Sequence, residues 1–74
     1  MADGLWRISR RAVGGKSVVD EIRVWWDPET DSEVPGSVCQ MYALELEWPD
    51  GHIDFYPWCS ILKVEYTPPT KDPA

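Results

Sequence analysis

Few side chains in this 74-residue chain could carry chemistry: one histidine, two cysteines and thirteen carboxylates. Nucleophilic catalysis would need Cys39 or Cys59 beside His52, the only imidazole that could act as base. His52 closes the turn sequence Pro49-Asp50-Gly51-His52, and Cys59 follows one strand later, which puts the two at opposite ends of that strand. The expected place of His52 is therefore a solvated turn. Glu45 and Glu47, or Asp50 and Asp54, are carboxylate pairs of the kind acid/base catalysis uses, and the glutamates share a strand face. In a chain this acidic, such a pair marks a solvent side. A short chain also has little room for a water-excluding pocket. No enzymatic activity is expected.

Metal chemistry has equally thin support. Cys39, His52, Asp54 and Cys59 could supply four ligands, but their spacing matches no zinc pattern and there is no CxxC. Carboxylates alternate at Asp27, Glu29, Asp31 and Glu33 as in a calcium loop, yet Pro28 interrupts it, and the central glycine and terminal bidentate glutamate are missing. No metal and no cofactor is expected.

The net charge is −6 and unevenly spread. Residues 1–23 hold Arg7, Arg10, Arg11, Lys16 and Arg23 against Asp3, Asp20 and Glu21, for +2; residues 24–74 hold Lys63 and Lys71 against ten carboxylates, for −8. Bulk negative charge repels phosphate backbones and argues against nucleic-acid binding. It suits a partner with a basic patch. Met1-Ala2-Asp3-Gly4 lacks the basic and apolar runs of a signal peptide, and no apolar stretch approaches a membrane span. The expectation is a cytoplasmic protein, away from membranes, with both thiols reduced.

The elements that must position these residues read as β. Leu5–Arg10 alternates weakly as a first strand, and Ala12-Val13-Gly14-Gly15-Lys16 turns. Ser17–Trp26 fits a strand, with Ile22, Val24 and Trp26 on one face, or a helix capped by Ser17; its β-branched and aromatic content favours strand. Residues 27–37 read as a long polar loop with two prolines. Val38–Trp48 reads as a central strand with Tyr42, Leu44, Leu46 and Trp48 inward. Asp50-Gly51 then marks a hairpin leading to Ile53 and Phe55, assigned to the core, with Asp54 and Tyr56 opposite. Pro57 ends that strand, Trp58-Cys59-Ser60 turns, and Ile61–Thr67 closes with Leu62, Val64 and Tyr66 inward.

The result is a mainly β domain over residues 1–67, followed by a disordered or extended proline-rich tail at 68–74. Its expected form is a small five-stranded antiparallel sheet, strongly bent, or a partly open barrel. A bent strand, a short turn and a closing strand over Ile53–Thr67 resemble SH3-like and Sm-like barrels in architecture; neither the SH3 peptide-groove motif nor an Sm RNA-binding motif is present.

Five tryptophans exceed what so small a core needs. Trp25 and Trp26 are adjacent and must point to opposite faces of a strand. Trp25, Tyr56 and Trp58 are therefore the expected interface aromatics, with Asp27, Glu29, Asp31, Glu33, Glu45 and Glu47 as an acidic surface. The function expected is a non-enzymatic protein-interaction module, self-associating as a dimer, in the format of a phage or mobile-element accessory protein. An acidic inhibitor or DNA mimic that occludes a basic host protein is the first alternative. A small-ligand or nucleotide binder using stacked aromatics is the second.

Overall fold

The computed structural model describes residues 2–70. Its strands are β1 (Gly4–Arg11), β2 (Ser17–Asp27), β3 (Ser32–Val34), β4 (Gly36–Cys39), β5 (Ala43–Glu47), β6 (Ile53–Pro57) and β7 (Ile61–Thr67). All pair antiparallel, in a four-stranded sheet of order β3-β2-β1-β7 and a three-stranded sheet of order β4-β5-β6. The sheets do not close into a barrel. Single 3-10 turns at Val13–Gly15 and Trp58–Ser60 lead into β2 and β7.

The strand count departs from the five expected because the polar loop and the central strand are each more structured than their composition implies. The side chain of Asp27 accepts the Glu29 amide at 2.9 Å, and Asp31 adopts a φ of 53°. These residues turn the chain back so that Ser32, Glu33 and Val34 pair with Asp27, Trp26 and Trp25. Pro35 is buried and has no N–H, so the ladder stops there and the chain passes into β4 of the other sheet. The expected strand Val38–Trp48 folds on itself: Gln40 N donates to Ala43 O, and Cys39 pairs with Leu44. Tyr42 sits in that turn and is 78% exposed, not inward as the alternation implied. Ser17–Trp26 is strand, as its β-branched content favours.

The core lies between the two sheets. Trp6, Ile8 and Val24 from the larger sheet pack against Leu44 and Leu46 from the smaller, with Ile22, Tyr56, Ile61 and Val64 around them. Burying each such side chain stabilises by about 1.5–3 kcal/mol. Trp6 Nε1 is buried without a hydrogen-bond partner among the described residues. The Trp6 ring carries Tyr66 at a centroid distance of 4.3 Å.

Two face assignments fail for reasons of register. Pro49 presets φ for a turn whose first bond is Gly51 N to Trp48 O, and Gly51 takes the left-handed conformation at φ 95°. This three-residue loop pairs Glu47 with Ile53. A two-residue Asp50-Gly51 loop would instead pair Trp48 with Ile53. The one-residue difference moves every side chain of β6 to the other face. Ile53 and Phe55 are therefore exposed, at 50% and 59%, while Tyr56 packs on the core. In β7, Ser9 pairs with Lys63 and Arg10 with Ile61, so Leu62 is the extra residue of a bulge and is also exposed.

Residues 68–70 run beside the start of β1. A Cβ on Gly4 would stand 2.1 Å from Thr67 O and 2.6 Å from Pro69 N, so only glycine allows this approach. Thr70 N also donates to Ala2 O at 3.0 Å. The rest of the expected tail, residues 71–74, lies outside the described residues.

Candidate protein-docking face

The three-stranded sheet has one face on the core and one in solvent. Cross-strand partners share a face. On the outer side, Val38, Glu45 and Phe55 form one row, and Gly36, Glu47 and Ile53 form the next. Each glutamate thus has an exposed apolar side chain, Phe55 or Ile53, on its β6 side, with half-buried Val38 or Gly36 on the other. At one end of the sheet, Met41, Tyr42 and Trp58 add exposed apolar surface. Trp58 is fixed there: its backbone N donates to Tyr42 O and its indole donates to Gln40 O at 2.8 Å.

Residues 24–62 carry Asp27, Glu29, Asp31, Glu33, Glu45, Glu47, Asp50 and Asp54 and no lysine or arginine. The only base in that stretch, His52, lies between Asp50 and Asp54, at 2.8 and 3.7 Å. The His52 amide, then its ring, hydrogen-bond to Asp50 and hold that carboxyl below its usual range. Trp48 closes the same turn, stacked on His52 and donating to Asp54 at 2.9 Å.

The expected site residues are spread over several places. Trp25 is half-buried, with the Arg23 guanidinium 5.1 Å above its ring and the Trp48 ring 6.2 Å away. Trp58, 37% exposed, stands beside the Gln40–Tyr42 turn. Tyr56 faces the core side, opposite Leu44. The acidic residues fall in two groups, one on the β2–β3 hairpin and one on β5. Asp27, Glu33 and Glu47 come together around a shallow cleft of about 320 Å³ walled by Trp48 and Pro49. Glu29 and Asp31 are exposed in the hairpin turn, and Glu33 accepts a hydrogen bond from the Tyr66 hydroxyl.

A second cleft, of about 270 Å³, opens where β6 faces the larger sheet. Asp54, Phe55, Tyr56 and Pro57 form one wall, and Arg10, Arg11, Asp20, Ser60 and Ile61 complete the lining. Arg10 is held to Asp20 at 2.5 Å. Burial, then the negative charges of Asp20 and Asp54, push the Tyr56 hydroxyl above its usual range, and Arg10 opposes them. A neutral phenol beside a closed ion pair donates and accepts hydrogen bonds.

No known protein family, curated protein or solved structure matches the chain.

Among the described residues, no three or more His, Cys, Asp or Glu side chains group around a possible metal position. Both cysteines are exposed free thiols. No helix is long and apolar enough to cross a membrane. Sequence reasoning missed Ile53 and Phe55 as surface residues and Arg10, Asp20 and Tyr56 as cleft partners. Pro49 was the available signal for the first; for the second there was none, since only the sheet packing brings those residues together.

Proposed function

We propose that this protein is a binding module that docks a basic protein surface onto the outer face of its three-stranded sheet. One observation carries the reading: Glu45 and Glu47 lie directly opposite exposed Phe55 and Ile53 on a sheet that has no cation of its own. Apolar side chains supply the area that leaves water on binding. The unpaired carboxylates select for lysine and arginine and speed encounter. Self-association through the same face is the weaker form of the module, because two copies would oppose their glutamates. The acidic-inhibitor reading is compatible with this face. An SH3-like or Sm-like open barrel remains a candidate description of the architecture, and the reading does not depend on it.

The test is photo-crosslinking from position 55 in the native host, followed by binding measurements with the purified captured protein. The expected partner is basic at its contact surface, its binding weakens as salt rises, and the double charge reversal Glu45→Lys/Glu47→Lys lowers affinity by at least about tenfold. Binding indifferent to both salt and the reversal would overturn the reading.

A further inference from the structure

We infer that the partner enters as an extended segment that adds a strand to the free edge of β6, with basic side chains on one side and small neutral ones on the other. The inference rests on the docking face just described and specifies how that face is engaged. Among the described residues β6 pairs with β5 alone, which leaves its other edge without a ladder. Exposed edges are normally blunted by short length, charge, proline or a bulge. β3 is three residues long, β7 carries Lys63, Glu65 and the bulge at Leu62, and β4 starts directly after buried Pro35. β6 has its terminal Pro57 and one charge, Asp54, which is tied to the Trp48 indole, beside the exposed apolar pair Ile53 and Phe55.

The surroundings of that edge define the occupant. The 270 Å³ cleft is lined by four successive residues of β6, Asp54 to Pro57, so it follows the strand. Its volume lies below the usual range for drug-sized ligands and suits a single side chain. That side chain is not basic, because Arg11 lines the cleft with no carboxylate beside it among the described residues, and a neutral one fits, because Arg10 and Asp20 already satisfy each other and Asp54 holds the Trp48 indole. On the opposite face, an incoming strand would extend the rows Glu45–Phe55 and Glu47–Ile53. A lysine or arginine at those positions would lay its stem over Phe55 or Ile53 and turn its charged head towards the glutamate. Alternation of basic and neutral residues follows from the period of two in a strand.

The experiment uses the isotope-labelled full chain and three capped synthetic peptides: alternating arginine and valine, the same sequence with alternate backbone nitrogens methylated, and alternating glutamate and valine. The arginine peptide is expected to shift the amide resonances of residues 53–56 and slow their hydrogen exchange. Methylation removes the donors a ladder needs and should weaken binding by about tenfold or more, and the glutamate peptide should not bind. Equal binding of the methylated peptide, with shifts still centred on Glu45 and Phe55, would overturn strand addition and leave the docking face standing. Absence of binding by the arginine peptide would overturn the inference while the crosslinked partner still tests the face. Shifts at 53–56 that depend on the concentration of the chain alone would assign the edge to a second copy and would also overturn it.

Discussion

The two sheets handle charge in opposite ways. On the four-stranded sheet every arginine but one has a carboxylate beside it: Arg7 with Glu21 at 3.8 Å, Arg10 with Asp20 at 2.5 Å, Arg23 with Asp3 at 2.6 Å, and Lys63 lies 3.9 Å from Glu65. The exception, Arg11, lies at the end of β1. On the three-stranded sheet Glu45 and Glu47 have no cation within reach among the described residues, and their cross-strand neighbours are apolar. Exposed ion pairs contribute roughly 0–1 kcal/mol, so the first pattern is not mainly a stabilising device. Its consequence is a surface whose charges are already satisfied. The second surface leaves both its carboxylates and its apolar groups available, and so is the better docking face.

The sharpest way to break this comparison is within the three-stranded sheet itself. Leu46 is fully buried on the inner face, and Phe55 is exposed on the outer one. Leu46→Ala should cost about 2–5 kcal/mol, while Phe55→Ser should stay within about 0.5 kcal/mol. Chemical denaturation of both variants measures this. A Phe55→Ser loss as large as that of Leu46→Ala would place Phe55 in a core and remove the docking face.

Next in size is the turn that sets which side faces out. Gly51 at φ 95° has nothing within 4 Å of an added Cβ, so Gly51→Ala meets conformational strain and no clash. The expected loss is about 1–2 kcal/mol, read from the denaturation midpoint. An unchanged midpoint would mean that the loop has another geometry, and the assignment of Ile53 and Phe55 to the surface would lose its cause.

How far the sequence carried can be judged at this turn and at β2. Trp6, Ile8, Val24, Leu44 and Leu46 sit where their alternation places them, because each strand has one buried face and keeps a strict period of two. Ser17–Asp27 is strand because β-branched and aromatic residues suit a pleated surface. Alternation alone cannot say which parity of β6 is buried. The loop length decides that, and Pro49 and Gly51 together set a three-residue loop where Asp50-Gly51 alone suggests a two-residue one. The β4–β5 turn at Gln40-Met41-Tyr42 has no glycine or proline to announce it, so Val38–Trp48 read as one strand. Of the candidate site, the unpaired carboxylates were legible as charge, while their apolar neighbours depended on register.

A smaller effect separates the two edges of the larger sheet from its middle. The Tyr66 hydroxyl of β7 donates to Glu33 of β3, joining the outermost strands. Burial, then the hydrogen bond and charge of Glu33, raise this phenol from 10.0 to about 12. Its folded value lies above its unfolded one, so the neutral form is favoured by folding. The contribution is complete below pH 10 and is lost as pH rises towards about 12. Stability should therefore fall across that window in the parent and fall less in Tyr66→Phe. Equal slopes would show that Tyr66 makes no such contribution.

The least effect on stability, and the most specific statement about the sheets, comes from neutralising one carboxylate on each. Glu21→Gln removes the partner of Arg7; Glu47→Gln removes a charge with no partner among the described residues. Both are exposed, so both changes should be small, within about 0.5 kcal/mol. Their signs should differ. Losing Glu21 uncovers Arg7 and removes an attraction, whereas losing Glu47 relieves its repulsion from Glu45 on the same face and from the surrounding negative charge. Paired thermal melts at low salt should show Glu21→Gln slightly less stable and Glu47→Gln slightly more stable than the parent, with both differences shrinking as salt screens them. A residue whose removal stabilises the fold is held there for something other than folding. If Glu47→Gln instead destabilised the chain, the carboxylate would belong to the architecture, and the contrast between a satisfied sheet and an available one would fail.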